Sequence, residues 1–260
     1  MTDPRPTDPK PASDAHTDVL PLKGRRAVIT GGTTGIGRAI AVLLASEGVH
    51  VFICGSDEGH LQDALARIRE VGEGDGIAID LSEADNVAWL FSAAREKLGG
   101  YDIAVVNAAV AAEGLTDMSE EALRHAIGLN FTAYLLSAHA AANDIRDAGD
   151  IVLIGSMSAH VLGPGSTVYA GIKYGIQGFS EALRRELGPK GIRVALVEPG
   201  KTGSDMQMPD IQPAEQREAI GRQEMLRAED IAVGVQYLLT QPRRTVIQQL
   251  TITPRAQPAE

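Results

Sequence analysis

From Lys23 onward, short β-branched apolar runs alternate with stretches of helical period, and no other feature of the chain narrows its fold as much. The runs span residues 27–30, 49–54, 76–80, 103–106, 151–154, 192–197 and 245–253. Nearly all are short and apolar enough to be strands buried on both faces, an arrangement that a parallel sheet covered by helices provides. Between them, Leu61, Leu65 and Ile68 share one helical stripe, and Val87, Leu90, Phe91, Ala94 and Leu98 share another. Both spacings turn one helix face toward a sheet. The pattern predicts an α/β protein with a single doubly wound parallel sheet in three layers, αβα, over residues 23–260. Residues 1–22 differ: prolines at 4, 6, 9 and 11 stand among Asp, Thr and Lys. Such a composition does not repay its ordering entropy by burial, so a flexible tail is expected there.

Charge and cysteine usage exclude several roles. The formal net charge is −10, and the closest basic clusters are the pairs Arg25 and Arg26, Arg184 and Arg185, and Arg243 and Arg244. Nucleic-acid binding needs a larger basic patch, so no nucleic-acid partner is expected. No apolar run approaches the length of a membrane span, and the first residues lack the basic and apolar regions of a secretory signal, which predicts a cytoplasmic protein with no membrane partner. The single cysteine, Cys54, stands in an apolar strand and reads as an inert buried thiol. His16, His50, His60, His125 and His139 show no metal-ligand spacing, so no catalytic metal is expected.

In a sheet of this kind, ligands bind beyond the carboxyl ends of the strands, which directs attention to the residues after each run. "TGGTTGIG", residues 30–37, follows the first run. Gly31, Gly35 and Gly37 would let the backbone turn sharply and approach a pyrophosphate, and would open a helix over residues 36–46 whose N-terminal amides favour an anion. By itself the loop fits a plain turn equally well. "YAGIK" puts Tyr169 and Lys173 four residues apart, on one face of a helix over residues 168–187. An ammonium beside a phenol favours the phenolate, so Lys173 is expected to draw the Tyr169 pKa down toward the range of a working acid or base. Ser156 follows the fifth run, at the same end of the sheet as the glycine loop.

"TGGTTGIG", "VNAA" at 106–109, "IVLIGS" ending at Ser156, "YAGIK" and "EPG" at 198–200 together resemble the short-chain dehydrogenase/reductase family in order and spacing, over nearly everything from Lys23 to Thr253. The resemblance implies a Rossmann fold and an NAD(P)-dependent oxidoreductase acting on CH–OH groups, which moves a hydride between a nicotinamide cofactor and a ketone or secondary alcohol. Tyr169 would be the general acid/base, Lys173 would lower its pKa and bind the nicotinamide ribose, and Ser156 would hydrogen-bond the substrate carbonyl. Asn130, in "IGLNFTAY", would support a proton-relay water. For the cofactor, the resemblance implies contacts from Gly31, Thr33, Thr34, Gly35, Ile36 and Gly37 in the loop, and from Ser56. Asp80 and Leu81 match the adenine-contacting pair, Asn107 and Ala108 belong to the family's "NNAG" motif, and Pro199 and Gly200 would line the nicotinamide. Ser204 stands where the family has a threonine bonding the carboxamide. The chain departs from "NNAG" at Val106 and Ala109, and the added methyl is expected to narrow the pocket floor.

The choice between NAD(H) and NADP(H) turns on the end of the second strand, where an acidic side chain would accept from the ribose 2′-OH and repel a 2′-phosphate. Here Gly55 holds that position and Ser56 follows, which favours NADP(H), with Ser56, Thr33 and Arg38 around the phosphate. Asp57 is the residue that would reverse the choice, and the family's usual basic partners are replaced by Ser56 and Thr34. By the same resemblance Ala109, Met157, Ser158, Leu162, Gly200, Lys201, Met206 and residues 206–226 face the substrate, a small carbonyl or alcohol compound. Lys201 and His160 are the polar exceptions, suited to an anionic substrate. Self-association as a dimer or tetramer is also implied. A catalytically silent dinucleotide sensor would keep the loop but would not need Asn130, Ser156, Tyr169 and Lys173 together. A halide-handling relative would carry arginine for the lysine and a degraded loop, and a scaffold accounts for less still.

Overall fold

A computed structural model describes residues 19–145, 148–160, 162–207 and 210–256. Seven strands, β1 (Arg26–Ile29), β2 (His50–Gly55), β3 (Gly74–Ala78), β4 (Ile103–Val106), β5 (Gly149–Ile154), β6 (Ile192–Pro199) and β7 (Gln249–Ile252), form one sheet. Their order is β3-β2-β1-β4-β5-β6-β7 and every pairing is parallel. The chain reverses its direction of travel across the sheet between β1 and β4, and that reversal opens a crevice at the strands' carboxyl ends. The described helices are α1 (Gly35–Ser46), α2 (Glu58–Arg69), α3 (Ala84–Leu98), α4 (Glu120–Ile127), α5 (Ala133–Asp144), α6 (Thr167–Leu187), α7 (Pro213–Gly221) and α8 (Ala228–Leu239). None is long and apolar enough to cross a membrane.

Successive residues of the central strands feed opposite cores, as the two-residue period of a strand requires. Val28, Ala104, Val106, Ile151 and Leu153 pack with residues of α3, α5 and α6, whereas Ile29, Ile103, Val105, Val152 and Ile154 pack with residues of α1, α2 and α8. Every expected run holds a strand, but some boundaries differ. β3 ends at Ala78 rather than Asp80, because Asp80 Oδ1 turns back to accept a hydrogen bond from Ser82 N at 2.9 Å. In the last run only Gln249–Ile252 is strand; Thr245 O is taken by Arg193 Nη1 at 3.3 Å instead. Of the expected tail, residues 1–18 lie outside the described residues. At its end Leu22 is buried and Leu20 N donates to Thr240 O at 2.7 Å.

Charge locks the amino-terminal edge of the sheet, opposite the crevice. Asp150, at the start of β5, is buried and receives Arg25 and Arg193 at 2.6 Å each and Arg243 at 3.2 Å. Burial would raise the Asp150 carboxyl, but the guanidinium groups of Arg25, Arg193 and Arg243 outweigh it and hold the group below the usual carboxylate range. Arg193 also donates to Leu239 O and Gln241 O, and Arg243 to Gly191 O, so one carboxylate ties the chain after α8 to the sheet. Asp150→Ala would leave buried cations without their anion and is expected to cost about 3–5 kcal/mol in guanidinium chloride unfolding. A loss below about 1 kcal/mol would contradict this account.

Candidate active site

The glycine loop is built from β1 outward. Thr30 Oγ1 accepts from Asn107 N at 2.9 Å and Ala108 N at 3.1 Å, while Asn107 Nδ2 donates to Thr30 O and Gly31 O, both at 3.1 Å. These bonds press the loop onto the end of β4. Gly31 has φ +63°, and a Cβ there would lie 2.8 Å from Ala108 Cα; a Cβ on Gly37 would collide with the Gly31 carbonyl. Glycine is the residue that allows both approaches. α1 then starts with no side-chain cap at Thr34 and no acid in its first turn, whereas α2 is capped by Asp57 and α4 by Ser119. Its N-terminal amides and positive dipole end therefore favour an anion from outside the chain.

A cavity of about 500 Å³ opens at this end of the sheet. Gly31, Thr33, Thr34, Gly35 and Ile36 line it from the loop, Gly55 and Ser56 from the end of β2, Asp80 and Leu81 after β3, and Asn107 and Ala108 after β4. Ser156, Tyr169, Lys173, Pro199, Gly200 and Ser204 line it farther along. Of the residues expected to carry catalysis or contact the cofactor, two are not on its surface: Gly37, packed against Gly31, and Asn130. Arg38, expected near a 2′-phosphate, also does not line it and pairs with Asp63 on α2 at 2.8 Å. Thr33 is buried, and its side chain fills the space where a side chain on Gly55 would begin. Cys54 reaches the lining as well, and burial, opposed by a hydrogen bond from the Gly31 backbone, pushes its thiol up to about 12, well into the inert range.

Tyr169 is the third residue of α6 and Lys173 stands one turn farther. Ser156 caps the short turn Met157–Ala159, its Oγ accepting from Ser158 N at 3.0 Å. The Tyr169 hydroxyl shares the cavity with Ser156 and lies 3.9 Å from Met206 Sδ. Lys173 is buried; its Nζ donates to Ile154 O at 3.0 Å and to the Tyr134 hydroxyl at 3.3 Å. It sits 4.8 Å from the Tyr134 ring centroid and 5.6 Å from that of Tyr169. The expected lowering of the phenol is absent. Burial pushes Tyr169 up to about 12, with the Ser156 hydrogen bond opposing, and burial pulls Lys173 down to about 7. The reason is geometric: Lys173 directs its hydrogen bonds to Ile154 and Tyr134, and the apolar surroundings penalise each group's charge.

Tyr134 is a residue beside the candidate site that motif spacing missed. Its hydroxyl donates to Ile154 O at 2.9 Å, so it shares that acceptor with Lys173 and fixes the ammonium's position. The available signal was the lone tyrosine in α5, whose other residues include no Phe, Tyr or Trp; a buried tyrosine needs a partner for its O–H. Asn130 lies in a π-helical turn, Gly128–Thr132, and is wholly buried. Its Oδ1 accepts from Val110 N and its Nδ2 donates to Val110 O, both at 2.8 Å, so the side chain holds the cavity-lining residues 109–111 in place.

Of the positions expected to face substrate, Ala109, Gly200 and Met206 line the cavity and Met157, Ser158, Leu162 and Lys201 do not. Met208 and Pro209, within the expected segment 206–226, lie outside the described residues. Lys201 is exposed, and His160 Nε2 is held 3.0 and 3.1 Å from the Glu198 carboxylate oxygens. The expected anionic-substrate contacts are therefore not assembled here, and Lys173 is the one lysine or arginine among the described lining residues. No group of three His, Cys, Asp or Glu side chains among the described residues is placed to hold a metal ion.

The family model described as short chain dehydrogenase matches residues 25–215. An uncharacterized oxidoreductase of Methylorubrum extorquens is 35% identical over 182 residues, 69% of this chain and 73% of that one. One from Staphylococcus saprophyticus is 28% identical over 241 residues, 91% of this chain and 100% of the other. A glycine betaine reductase of Emericella nidulans is 31% identical over 250 residues, which is 92% of this chain but 19% of that longer protein. Among solved structures, a short chain dehydrogenase from Burkholderia cenocepacia in complex with NADP is similar at TM-score 0.81 and 31% identity, covering 90% of this chain and 98% of the other. A short-chain dehydrogenase/reductase from Serratia marcescens is similar at TM-score 0.81 and 28% identity, with the same coverages. With the glycine loop, the first six strands of the parallel sheet and the lysine-bearing helix all falling within the matched span, the chain belongs to the short-chain dehydrogenase/reductase family of oxidoreductases, which bind a nicotinamide cofactor.

Proposed function

We propose that this protein transfers a hydride between NADP(H) and a neutral ketone or secondary alcohol, with Tyr169 as general acid/base. The observation that carries this reading is the meeting of Ser156, Tyr169 and Lys173 in one cavity with an uncapped helix N-terminus behind a glycine loop. The fit to a dinucleotide rests on that uncapped end and on the close approaches that only Gly31 and Gly37 permit. Residues 31–36 would hold the pyrophosphate, and Pro199, Gly200 and Ser204 the nicotinamide end. The nicotinamide, when bound, supplies or takes up the hydride. Ser156 Oγ donates a hydrogen bond to the substrate oxygen, stabilising negative charge as it develops. Tyr169 is protonated at neutral pH and gives its proton to that oxygen during reduction. In the opposite direction the phenolate left by that transfer takes the proton from the alcohol, and Lys173, in its protonated form, serves as the counter-charge while Tyr134 and Ile154 hold its ammonium in place.

Three features support NADP(H). Gly55 carries no carboxylate, and Thr33 fills the space beside it. Asp57 Oδ1 is committed to the N-terminus of α2, accepting from His60 N at 2.7 Å, and does not line the cavity. The hydroxyls of Ser56, Thr33 and Thr34 line the site where a 2′-phosphate would lie, with Arg38 adding charge if it exchanges Asp63 for the phosphate. The related Burkholderia protein was crystallised with NADP. Dimer or tetramer formation and a cytoplasmic location belong to the same proposal, on the grounds of family resemblance and composition alone. A thermal-shift titration tests the cofactor choice: at equal concentration NADPH is expected to raise Tm more than NADH. Ligand at a hundred times its Kd adds about 2.7 kcal/mol to stability, an effect large enough to rank the two cofactors. A larger shift with NADH would overturn the preference.

A further inference from the structure

We propose that His160 and Glu198 are a positioning pair that sets Ser156 relative to Pro199 and Gly200, an inference that rests on the reading of Ser156 as the donor to the substrate oxygen. Neither residue lines the cavity. Glu198, next to last in β6, is completely buried, and a carboxylate taken out of water needs compensating partners. Among the described residues no lysine or arginine pairs with it. Its partners are His160 Nε2 at 3.0 and 3.1 Å, Gln249 Nε2 at 2.5 Å and Thr251 Oγ1 at 3.5 Å. One side chain thus joins β6, β7 and the turn after β5.

Both ends of that turn lead to Ser156. Its Oγ accepts from Ser158 N at the start of the turn, and His160 N closes the end by donating to Met157 O at 2.8 Å. The His160 imidazole then fastens the closed turn to Glu198. From the other side, a Cβ on Gly155 would lie 3.2 Å from Glu198 Cγ, so the residue preceding Ser156 packs beside the stem of this side chain. Pro199 and Gly200 follow Glu198 directly and line the cavity. The donor for the substrate oxygen and the strand end beside the nicotinamide therefore share one anchor. A misplacement of about 1 Å in such a donor is enough to lose about a hundredfold in rate.

A double-mutant cycle tests this. Wild type, His160→Ala, Ser156→Ala and the double variant are compared with NADPH and whichever ketone the wild type reduces fastest in a panel, alongside NADPH dissociation constants and melting curves. His160→Ala is expected to lower kcat roughly tenfold to a hundredfold with the NADPH Kd within about twofold of wild type. His160→Gln, whose amide still donates to Glu198, should recover most of the loss. In the Ser156→Ala background His160→Ala should change kcat by less than about twofold, because its route of action is gone. An equal loss in both backgrounds, or a lowered Tm with kcat unchanged, would overturn the positioning role. If His160→Ala does not fold, His160→Leu, which keeps bulk without a donor, carries the same comparison. Wild-type activity in Ser156→Ala alone would overturn the reading of Ser156 and this inference with it, whereas the other adverse outcomes leave that reading intact.

Discussion

Lys173→Met is expected to make the protein more stable while removing nearly all of its turnover. Lys173 is buried in apolar surroundings, and burial pulls its ammonium down to about 7. In the unfolded chain the same group titrates near its ordinary value of 10.5. Between those two values the unfolded state binds the proton and the folded state does not, so stability contributed by this site rises with pH across that window. Below about pH 7 the folded protein carries the full cost of a buried charge, on the order of 5 kcal/mol if the whole difference is expressed. A methionine of similar length avoids that cost, and Ile154 O keeps a donor because the Tyr134 hydroxyl also bonds to it at 2.9 Å. We expect the variant to gain about 1–3 kcal/mol at pH 7, several degrees in Tm, and to lose kcat by about 10²–10⁴. Denaturant unfolding at pH 6, 8 and 10 gives the sharper comparison: the wild type should close the gap as pH rises. Parallel pH dependences for the two proteins, or turnover within tenfold of wild type, would contradict this role for Lys173.

Which parts of the structure were readable from the chain follows from the range over which each physical signal acts. The strands were legible because burial on both faces leaves a contiguous apolar run, and α2 and α3 because their buried stripes repeat every three or four residues. Ser156, Tyr169 and Lys173 were legible because a doubly wound sheet brings strand ends to one edge, where spacing and family resemblance converge. The asparagine at 130 was also picked out by resemblance, but spacing gave no hint that its amide is spent on Val110.

Contacts between distant segments were not legible. Lys173 meets Tyr134 and His160 meets Glu198 across gaps of 39 and 38 residues, and nothing local to either pair marks the partner. The same limit reversed the pKa reading: Tyr169 and Lys173 are neighbours on α6, yet the direction of both shifts is set by burial against the rest of the molecule. Arg38 was read as available for a phosphate because its partner Asp63 comes from the next helix. The three-arginine cluster on Asp150 likewise draws on the start of β1, β6 and the stretch after α8.

In the proposed hydride-transfer reaction the Tyr169 hydroxyl moves the proton. Tyr169→Phe removes that oxygen and keeps the ring, so the packing of α6 beside the cavity should be preserved. Ser156 would still donate to the substrate oxygen, and the loop that binds the pyrophosphate is untouched. What disappears is the acid, and general acid–base catalysis is worth about 10²–10⁴ in rate. The most direct measurement is therefore the single-turnover rate of nicotinamide oxidation in Tyr169→Phe, with the ketone best reduced by the wild type, beside the NADPH dissociation constant of the same preparation. The expected result is a rate lower by about 10²–10⁴ with the dissociation constant within about threefold of wild type. A variant that binds NADPH normally and turns over within tenfold of the wild-type rate would contradict it.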